Sequence, residues 1–565
     1  MGKIVQPYSS DNAVSLKWNN KTYHSAMKRI LFSTLSAAMI LASSCCGSGQ
    51  RFYPASKQQV YIGEDIAVAQ TEYGKIRGYM LHDVYCFHGV PYGAPTSGEN
   101  RFMPPQPPQP WDGVRPAVAF GESAPQEYYD RRPESYYMFT DHWNYDMMGE
   151  DCLRLNVWTA GLQDGGKRPV LVWLHGGGFA KGNGIEQDSY NGENMARRGD
   201  VVFVSVNHRL NAFGFTDLSS VGGEKYRHSA NVGMLDIVAA LEWVRDNIEN
   251  FGGDPSNVTI MGQSGGGSKV SMLCAMPAAK GLFHKAVALS GDATRANDSR
   301  YSALLGEAVL KEAGLEPSQV DELQKMPWED YLALSVRAQR SLRANSGYRA
   351  GFAPVGNDID IPSGEFFEGT QSDVPMLLCS TFHEWNPNRD NPADEDITFE
   401  EVAERISGTY KDPMAVINGY RKVFPEARPV EIWAFTVSHR YGMLKLADAR
   451  CRQGAPVYLA WFGWESPLFD GRHRAFHCID IAFWLMNTDR MVTHCGGGNR
   501  PYRLSMKMSE ALINFMKTGV PSAKRLPQWE PYTPETGNTM ILNDKSYMTY
   551  DIDKEARKIV ENNWL

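Results

Sequence analysis

The sequence predicts an α/β protein with one central, mostly parallel β-sheet flanked by helices, in a single large domain. Three observations support this class: continuous apolar runs, a helical repeat of apolar residues between two such runs, and a glycine-rich turn after one of them. The chain has 565 residues, of which 42% are hydrophobic and 22% charged. That composition is ordinary for a globular protein, and the length suffices to bury a large core.

The predicted elements follow one another as strand, helix and strand. Val170–Leu174 and Val201–Val206 are uninterrupted apolar runs, as expected for strands buried on both faces. Between Gly233 and Ile248 the apolar residues recur at helical spacing, and the FGGDP segment at 251–255 ends that helix. Val258–Met261 then predicts the next strand. This order is typical of a parallel sheet with helical crossovers.

Charge and hydropathy exclude two broad classes of protein. Lys and Arg total 57 against 65 Asp and Glu, for a net charge of −8 and a pI near 6.0. A generally basic nucleic-acid-binding protein is therefore excluded, and no nucleic-acid partner is expected. The mean hydropathy is −0.40, and past the N-terminal region no apolar run approaches 18 residues, which excludes a polytopic membrane protein.

The N-terminal region resembles an export signal. Lys28 and Arg29 precede an apolar stretch at 30–41, and small residues follow before Cys45 and Cys46. A plain secretory signal and a bacterial lipoprotein signal both fit, with either cysteine as the lipidated residue, so membrane contact is expected only through such an anchor. We therefore expect a periplasmic, cell-surface or secreted protein. The expected segments are an extension upstream of a true start at Met27 (1–26), a signal peptide (27–45), a polar tether (46–65) and the catalytic domain (66–565).

The remaining cysteines do not form a recognisable pattern. No two have C-x-x-C spacing, and no cysteine and histidine share the spacing of a zinc site. An odd, scattered set argues against a disulfide framework even in an exported protein. These seven residues are Cys86, Cys152, Cys274, Cys379, Cys451, Cys478 and Cys495.

A candidate nucleophile follows the strand at Val258–Met261. Residues 262–266 read Gly-Gln-Ser-Gly-Gly, a G-x-S-x-G pattern with a strand before it and an apolar, helix-like stretch after it. In α/β-hydrolases this pattern forms a strained turn that exposes the serine at a helix N-terminus, where negative charge is stabilised. A simple glycine-rich loop is the alternative, but the flanking elements favour Ser264 as a nucleophile.

A second glycine-rich loop precedes the first in the expected chain order. His175-Gly-Gly-Gly-Phe179 follows the strand Val170–Leu174. In lipases and esterases such a loop supplies backbone N–H groups to an oxyanion hole, and side chains there would block the substrate carbonyl. A structural turn is the alternative reading. The two motifs together predict acyl-transfer chemistry.

Several further segments resemble the type-B carboxylesterase and cholinesterase-like family, here as an exported bacterial member. The resemblance spans about residues 66–550 and implies an α/β-hydrolase fold, ester hydrolysis through an acyl-enzyme, and no metal or organic cofactor. The matching segments are Gly89–Gly93, Arg101–Phe102, Pro104, Trp111, Glu150–Trp158 (similar to EDCLYLNIW), Asn207–Arg209, Asn247–Ile248, FGGDP at 251–255 and LPQWEPYT at 526–533.

The resemblance also implies the two partners of Ser264. The segment after the strand-like run at 374–378 is similar to the family's acid-bearing loop and places the acid at Glu384, which without the family would read as an exposed loop residue. The segment from Ala475 to Trp484 is similar to the family's histidine segment and favours His477 over His473, which is expected at the surface. His494–Gly498 imitates an oxyanion loop, but it falls too late in the chain and is expected to be a plain loop.

The implied site has an oxyanion hole and a pocket besides the triad. The N–H groups of Gly177, Gly178 and Gly265 are expected to receive the oxyanion, with Gly265 in place of the usual Ala making the elbow looser. The expected pocket residues are Gln263, Phe179 and Trp385. Gln263 replaces the Glu of cholinesterase-like members, so neutral esters are expected to be preferred. The aromatic-rich stretch at 128–148 is either a rim of the pocket or an irregular surface segment.

Three departures from the family are visible in the sequence. Cys152 lacks its usual partner, because the upstream position falls within Ser123–Gln126, which has no cysteine. Asp480 stands where Glu is usual, and Asp292 follows Ser290-Gly291 where a second Ser is common. The sequence assigns no role to Asp292.

We expect a serine ester hydrolase acting on neutral small or aryl esters. One alternative is a surface esterase that removes acyl or aryl groups from polysaccharide. Another, from a different class, is a catalytically inactive binding protein, although the presence of Ser264, Glu384 and His477 disfavours it. Neither the natural ester nor the oligomeric state follows from the sequence.

Overall fold

A twelve-stranded sheet organises the computed structural model, which describes residues 57–127, 147–346, 351–387 and 391–565. The strand order is β1-β4-β5-β7-β9-β8-β10-β11-β12-β13-β14-β15, and β2, β3 and β6 form a separate small sheet. The strands are β1 Val60–Tyr61, β2 Val68–Thr71, β3 Gly74–Arg77, β4 Tyr79–Leu81, β5 Val84–Pro91, β6 Val114–Pro116, β7 Arg154–Thr159, β8 Arg168–Leu174, β9 Val202–Val206, β10 Gly253–Gln263, β11 Lys285–Leu289, β12 Met376–Thr381, β13 Val457–Phe462, β14 Asn538–Leu542 and β15 Tyr547–Tyr550.

The centre of the sheet is parallel and its two flanks are antiparallel. Every neighbouring pair from β9 through β8, β10, β11, β12 and β13 to β14 is parallel. The pairs β7–β9, β5–β7, β4–β5 and β1–β4 on one side, and β14–β15 on the other, are antiparallel. The prediction of a mostly parallel sheet is therefore confirmed.

The α-helices connect these strands and cover both faces of the sheet. The predicted helix between Gly233 and Ile248 is observed as α4. The helices are α1 Glu193–Gly199, α2 Asn211–Phe215, α3 Ser219–Gly222, α4 Val232–Asn247, α5 Gly265–Leu273, α6 Ser299–Glu312, α7 Trp328–Ser346, α8 Phe399–Ile406, α9 Pro413–Val423, α10 Pro429–Thr436, α11 Arg440–Arg452, α12 Ile479–Trp484, α13 Val492–Cys495, α14 Asn499–Thr518 and α15 Lys554–Asn563.

Alternate residues of the central strands enter two separate hydrophobic cores. In β8, Val170 and Val172 belong to one core, while Leu171 and Trp173 belong to the other. Because successive side chains of a strand point to opposite faces, a strand covered on both faces must be apolar throughout. Helix α4 contributes to the first core and helix α14 to the second. The continuous apolar runs in the sequence thus have a structural cause.

The folded unit extends over residues Gln59–Leu565. Val60 and Tyr61, within the segment predicted as a tether, pair with Leu81 and Met80 at one edge of the sheet. The predictions for residues 1–56 lie outside the described residues. No described helix has both the length and the apolar character needed to cross a membrane. The seven cysteines of the described ranges are free thiols.

Candidate active site

The predicted nucleophile lies on a sharp turn between a strand and a helix. Strand β10 ends at Gln263, Ser264 has φ +57° and ψ −122°, and helix α5 begins at Gly265. A left-handed φ is costly for a residue with a side chain, by about 1–3 kcal/mol. Two hydrogen bonds hold the turn: the Ser264 N–H donates to the Leu289 carbonyl at 2.8 Å, and the Ser268 N–H donates to the Ser264 carbonyl at 3.0 Å.

Glu384 and His477 lie in hydrogen-bond contact, as the family resemblance implies. The loop after β12 carries Glu384, and the residues before α12 carry His477. Their Oε2 and Nδ1 atoms are 2.5 Å apart, and the His477 backbone N–H also donates to the Glu384 carbonyl at 2.7 Å. Both are buried, with Glu384 fully so and His477 at 6% exposure. This arrangement fixes the orientation of the imidazole ring.

Several groups stabilise the Glu384 carboxylate in its charged form. Burial alone would raise the pKa of Glu384, but the hydrogen bond from His477 and the charges of His477 and His439 lower it below its ordinary value. Its second oxygen, Oε1, accepts from the Thr381 N–H and from the Ser290 hydroxyl, both at 2.8 Å. An ionised Glu384 accepts the Nδ1 proton of His477, which leaves Nε2 as the basic atom of the ring.

Gln263 contacts the histidine instead of lining an open pocket. Its side chain is fully buried, and its Nε2 atom lies 3.1 Å from His477 Nε2. The Cys478 thiol donates to its Oε1 atom at 3.2 Å. The structure therefore corrects the expected place of Gln263 in the pocket wall. Since Ser264 directly follows Gln263, the same contact places the nucleophile turn beside the histidine.

The other two predicted pocket residues are accessible. Trp385 is 42% exposed, and its indole stacks on the His477 ring with centroids 4.2 Å apart and planes at 27°. Phe179 is half-buried and packs edge-to-face on Phe215 at 5.6 Å. Trp385 thus presents an aromatic surface next to the candidate base.

The predicted oxyanion residues approach one another closely. Gly177 and Gly178 have left-handed φ values of +76° and +63°, in the loop that follows β8. A Cβ added at Gly265 would lie 2.2 Å from the Gly178 carbonyl oxygen. Glycine at 265 leaves room for this close approach of the two loops, and the expectation that Gly265 makes the elbow looser stays a prediction.

A buried lysine joins the nucleophile helix to this loop, and the sequence analysis missed it. Lys269 of α5 is fully buried, donates from Nζ to the His175 carbonyl at 3.0 Å, and lies 5.8 Å from the centre of the Phe179 ring. Burial lowers the pKa of Lys269 to about 7, although the charge of Glu186 opposes that shift. The visible signal was a single lysine within an otherwise uncharged helix.

A second histidine lies beside the triad, and it too was missed. Candidate ligand atoms of Glu384, His439 and His477 lie within 4.8 Å of one another. Such residue types can bind metals, but Glu384 and His477 are already hydrogen-bonded to each other. The geometry therefore fits a hydrogen-bonded triad, and the expectation of no metal stays a prediction.

The remaining candidates lie elsewhere. His473 is 2% exposed and packs on Phe469 and Phe476, so the expectation of a surface residue is wrong. His494 is buried and lies within the short helix α13, which ends at Cys495. Gly496–Gly498 follow as non-helical residues before α14, so the expected plain loop begins with a helical turn. Residues 128–146, most of the aromatic-rich stretch, lie outside the described ranges.

The functional residues follow the carboxyl ends of four neighbouring strands. Loops after β8, β10, β11 and β12 carry the oxyanion glycines, Ser264, Ser290 and Glu384, respectively. Parallel strands present the same end at one edge of a sheet, so these loops converge. The fold thus brings distant parts of the sequence to one place.

Comparison with known proteins shows which family this chain resembles in sequence. The sequence profile of the "Carboxylesterase family" matches residues 65–424 and 430–560. A para-nitrobenzyl esterase of Bacillus subtilis (strain 168) is 33% identical, over 87% of this chain and 98% of its own length. The phenmedipham hydrolase of Pseudarthrobacter oxydans is 31% identical, over 85% of this chain and 95% of its own.

A solved structure of an esterase is also similar to this chain. It is an esterase from the anaerobe Clostridium hathewayi whose description states that it can hydrolyse aliphatic aromatic polyesters. It shares 34% identity with a TM-score of 0.77 and covers 90% of this chain and all of its own. The profile match and these near-full-length relatives show that this chain belongs to the carboxylesterase family, ester hydrolases with the α/β-hydrolase fold.

Proposed function

We propose that this carboxylesterase works through a Ser264–His477–Glu384 triad and an acyl-enzyme. The observation that carries the proposal is the 2.5 Å contact of His477 Nδ1 with a fully buried Glu384, beside the strained turn that bears Ser264. A nucleophile, a base and a group that orients the base are the three parts that acyl transfer requires. The presence of all three favours catalysis over the inactive binding protein.

The reaction proceeds in two half-reactions. Ser264 Oγ attacks the acyl carbon while His477 Nε2 accepts its proton, and Glu384 stabilises the imidazolium that forms. The N–H groups of Gly177, Gly178 and Gly265 receive the oxyanion, each contributing about 3–4 kcal/mol by analogy with single-donor deletions. The imidazolium then protonates the departing alcohol. Water, activated by the same histidine, releases the acid and restores Ser264.

We propose neutral aryl or small aliphatic esters as the substrates. The exposed Trp385 indole beside the base offers an apolar, aromatic surface, and Gln263 carries no charge. The names of the two curated relatives, para-nitrobenzyl esterase and phenmedipham hydrolase, and the polyester activity stated for the Clostridium hathewayi esterase agree with this class.

Ester hydrolysis by the purified protein and by Ser264→Ala tests the proposal. We expect wild-type turnover of p-nitrophenyl acetate and butyrate, and a loss approaching ~10⁶ in kcat for the variant, since one missing triad member disables the whole unit. Ser268→Ala, on the same helix, is the matched control and should stay active. A Ser264→Ala protein with a tenth of wild-type turnover would refute the assignment, and higher activity on acetylated or feruloylated glycans would favour the polysaccharide alternative.

We also propose that the protein is exported, with its N-terminal cysteine lipidated or free. Support comes from the basic, apolar and small-residue order at 27–45.

A further inference from the structure

A second pair of histidine and carboxylate lies next to the candidate triad. His439 directly precedes helix α11, and Asp292 lies three residues beyond the end of strand β11. The His439 Nδ1 and Asp292 Oδ2 atoms are 3.5 Å apart. The two side chains are 29% and 31% exposed, so both reach the surface that surrounds the site. Nothing in the proposed reaction uses either residue.

His439 faces the candidate base directly. Its ring lies 5.8 Å from the His477 ring between centroids, with the two planes at 28°. The cluster of Glu384, His439 and His477 atoms within 4.8 Å includes both partners of the triad contact. At this distance a charge on His439 acts on the protonation of His477, because His477 and Glu384 are buried.

The Asp292 carboxylate lies directly against the first turn of α11. A Cβ at Gly442, in that turn, would lie 1.6 Å from Asp292 Oδ2, so a side chain at position 442 would displace the carboxylate from this place. A Cβ at the adjacent Gly291 would lie 2.3 Å from the Ser264 carbonyl oxygen. Asp292 thus adjoins both the nucleophile turn and the helix that begins after His439.

The charges around His439 favour its cationic form. Burial would lower the pKa of His439, but the hydrogen bond to Asp292 and the charges of Glu384 and Asp292 raise it to about 9. Within the described ranges, the titratable groups that face it are Asp292 from the β11 side, Glu384 from the β12 loop and His477 from the segment before α12. Near neutral pH, His439 is thus a cation beside the candidate base.

We propose that His439, held by Asp292, is a positioning residue that keeps His477 in its neutral, basic form at mildly acidic pH. This inference rests on the proposed function. A neighbouring cation opposes a second positive charge, so it lowers the pH at which His477 gains a proton and activity is lost. Asp292, the partner of His439, occupies the position where the family commonly has serine. The pair therefore extends the working range of the enzyme toward acid.

The pH profile of kcat/KM for p-nitrophenyl acetate between pH 4.5 and 8.5 tests this inference. His439→Phe keeps an aromatic ring but removes the charge, and we expect the acid limb to move upward by roughly 0.5–1 pH unit. His439→Lys restores a cation without the ring, so its acid limb should remain near that of the wild type. If His439→Phe does not fold, His439→Gln replaces it.

A matched control excludes general effects of losing a histidine. His228 pairs with Asp360 at 2.8 Å and is 22% exposed, which resembles the His439 pair. His228→Phe should leave the acid limb unmoved. Asp480, whose pKa burial and the charge of Glu384 raise to about 7, titrates in the same range but is present in every variant, so it does not affect the comparison.

The outcomes separate the two proposals. An unmoved acid limb in His439→Phe, or an equal shift in His439→Lys, would overturn the role of His439 while leaving the triad intact. A shift of the same size in His228→Phe would also overturn it. Activity that persists in Ser264→Ala would instead overturn the proposed function.

Discussion

Ser264, Glu384 and Cys478 each adopt a positive φ, of +57°, +40° and +74°, and they cluster where the candidate chemistry takes place. Such angles persist in residues with side chains only where the surrounding structure enforces them. At Ser264 the enforcing contacts come from Leu289 and the start of α5. These contacts place Ser264 on the turn between strand β10 and helix α5.

The charge of the residue before the nucleophile predicts substrate selectivity. Gln263 is neutral and buried against His477, so it offers no carboxylate to a cationic substrate. We expect a choline ester to be turned over 10- to 100-fold less efficiently in kcat/KM than its uncharged carbon isostere, as roughly 1–3 kcal/mol of lost attraction implies. Steady-state rates on the two esters check this. Equal or faster turnover of the choline ester would show that another anion or an aromatic surface binds cations.

At the scale of elements, the sequence predicts the strands and helices that a local pattern of apolar residues marks. Strands β8 and β9 are recognisable because burial on both faces makes their sequences continuously apolar, and helix α4 is recognisable because its apolar residues recur at helical spacing. The contact of Glu384 with His477 required the family resemblance, since 93 residues separate them. Lys269, His439 and Asp292 carry no motif, and their roles depend on contacts that only the assembled sheet creates.

Helix α5 carries a charge whose burial should make stability depend on pH. The pKa of Lys269 is about 7 in the folded protein, and about 10.4 is expected for an unfolded chain, so between these values the unfolded state binds more protons. Lys269 therefore makes the free energy of unfolding rise from pH 7 toward pH 10. Below pH 7 the folded protein holds Lys269 as a buried cation, and the full cost of that burial lowers its stability.

Lys269→Met should remove that dependence. Between pH 6.5 and pH 9.5, the free energy of unfolding of the wild type should rise by roughly 2–3 kcal/mol more than that of the variant. Urea unfolding at both pH values, with Lys285→Met on neighbouring β11 as a half-buried comparison, measures the difference. A constant offset at the two pH values would mean that Lys269 does not change protonation on folding.

At the scale of the whole molecule, residues Gln59–Leu565 form one compact unit. The net charge of −8 favours solubility and opposes nonspecific binding to nucleic acids. Both facts are compatible with a catalytic domain that follows a removable export signal.

Export predicts a defined mature N-terminus. We expect intact-mass and N-terminal peptide measurements on natively expressed protein to show an N-terminus at or near Cys45 or Cys46. A lipidated cysteine would add the mass of its acyl chains and retain the protein in the membrane fraction, whereas Cys→Ser at both positions should release it. A cytosolic protein that retains Met1 would contradict export.

The convergence of loops at one edge of the sheet also sets the order in which activity can arise during synthesis. The oxyanion loop and Ser264 are made early, but the histidine that Gln263 contacts follows 214 residues later. Long-range pairing of this kind is slow, because the chain between the partners must first be ordered. In the proposed mechanism, a partly synthesised or unfolded chain therefore carries the nucleophile without its base. We expect such a chain to hydrolyse no esters until the segment that bears His477 has docked against the nucleophile turn.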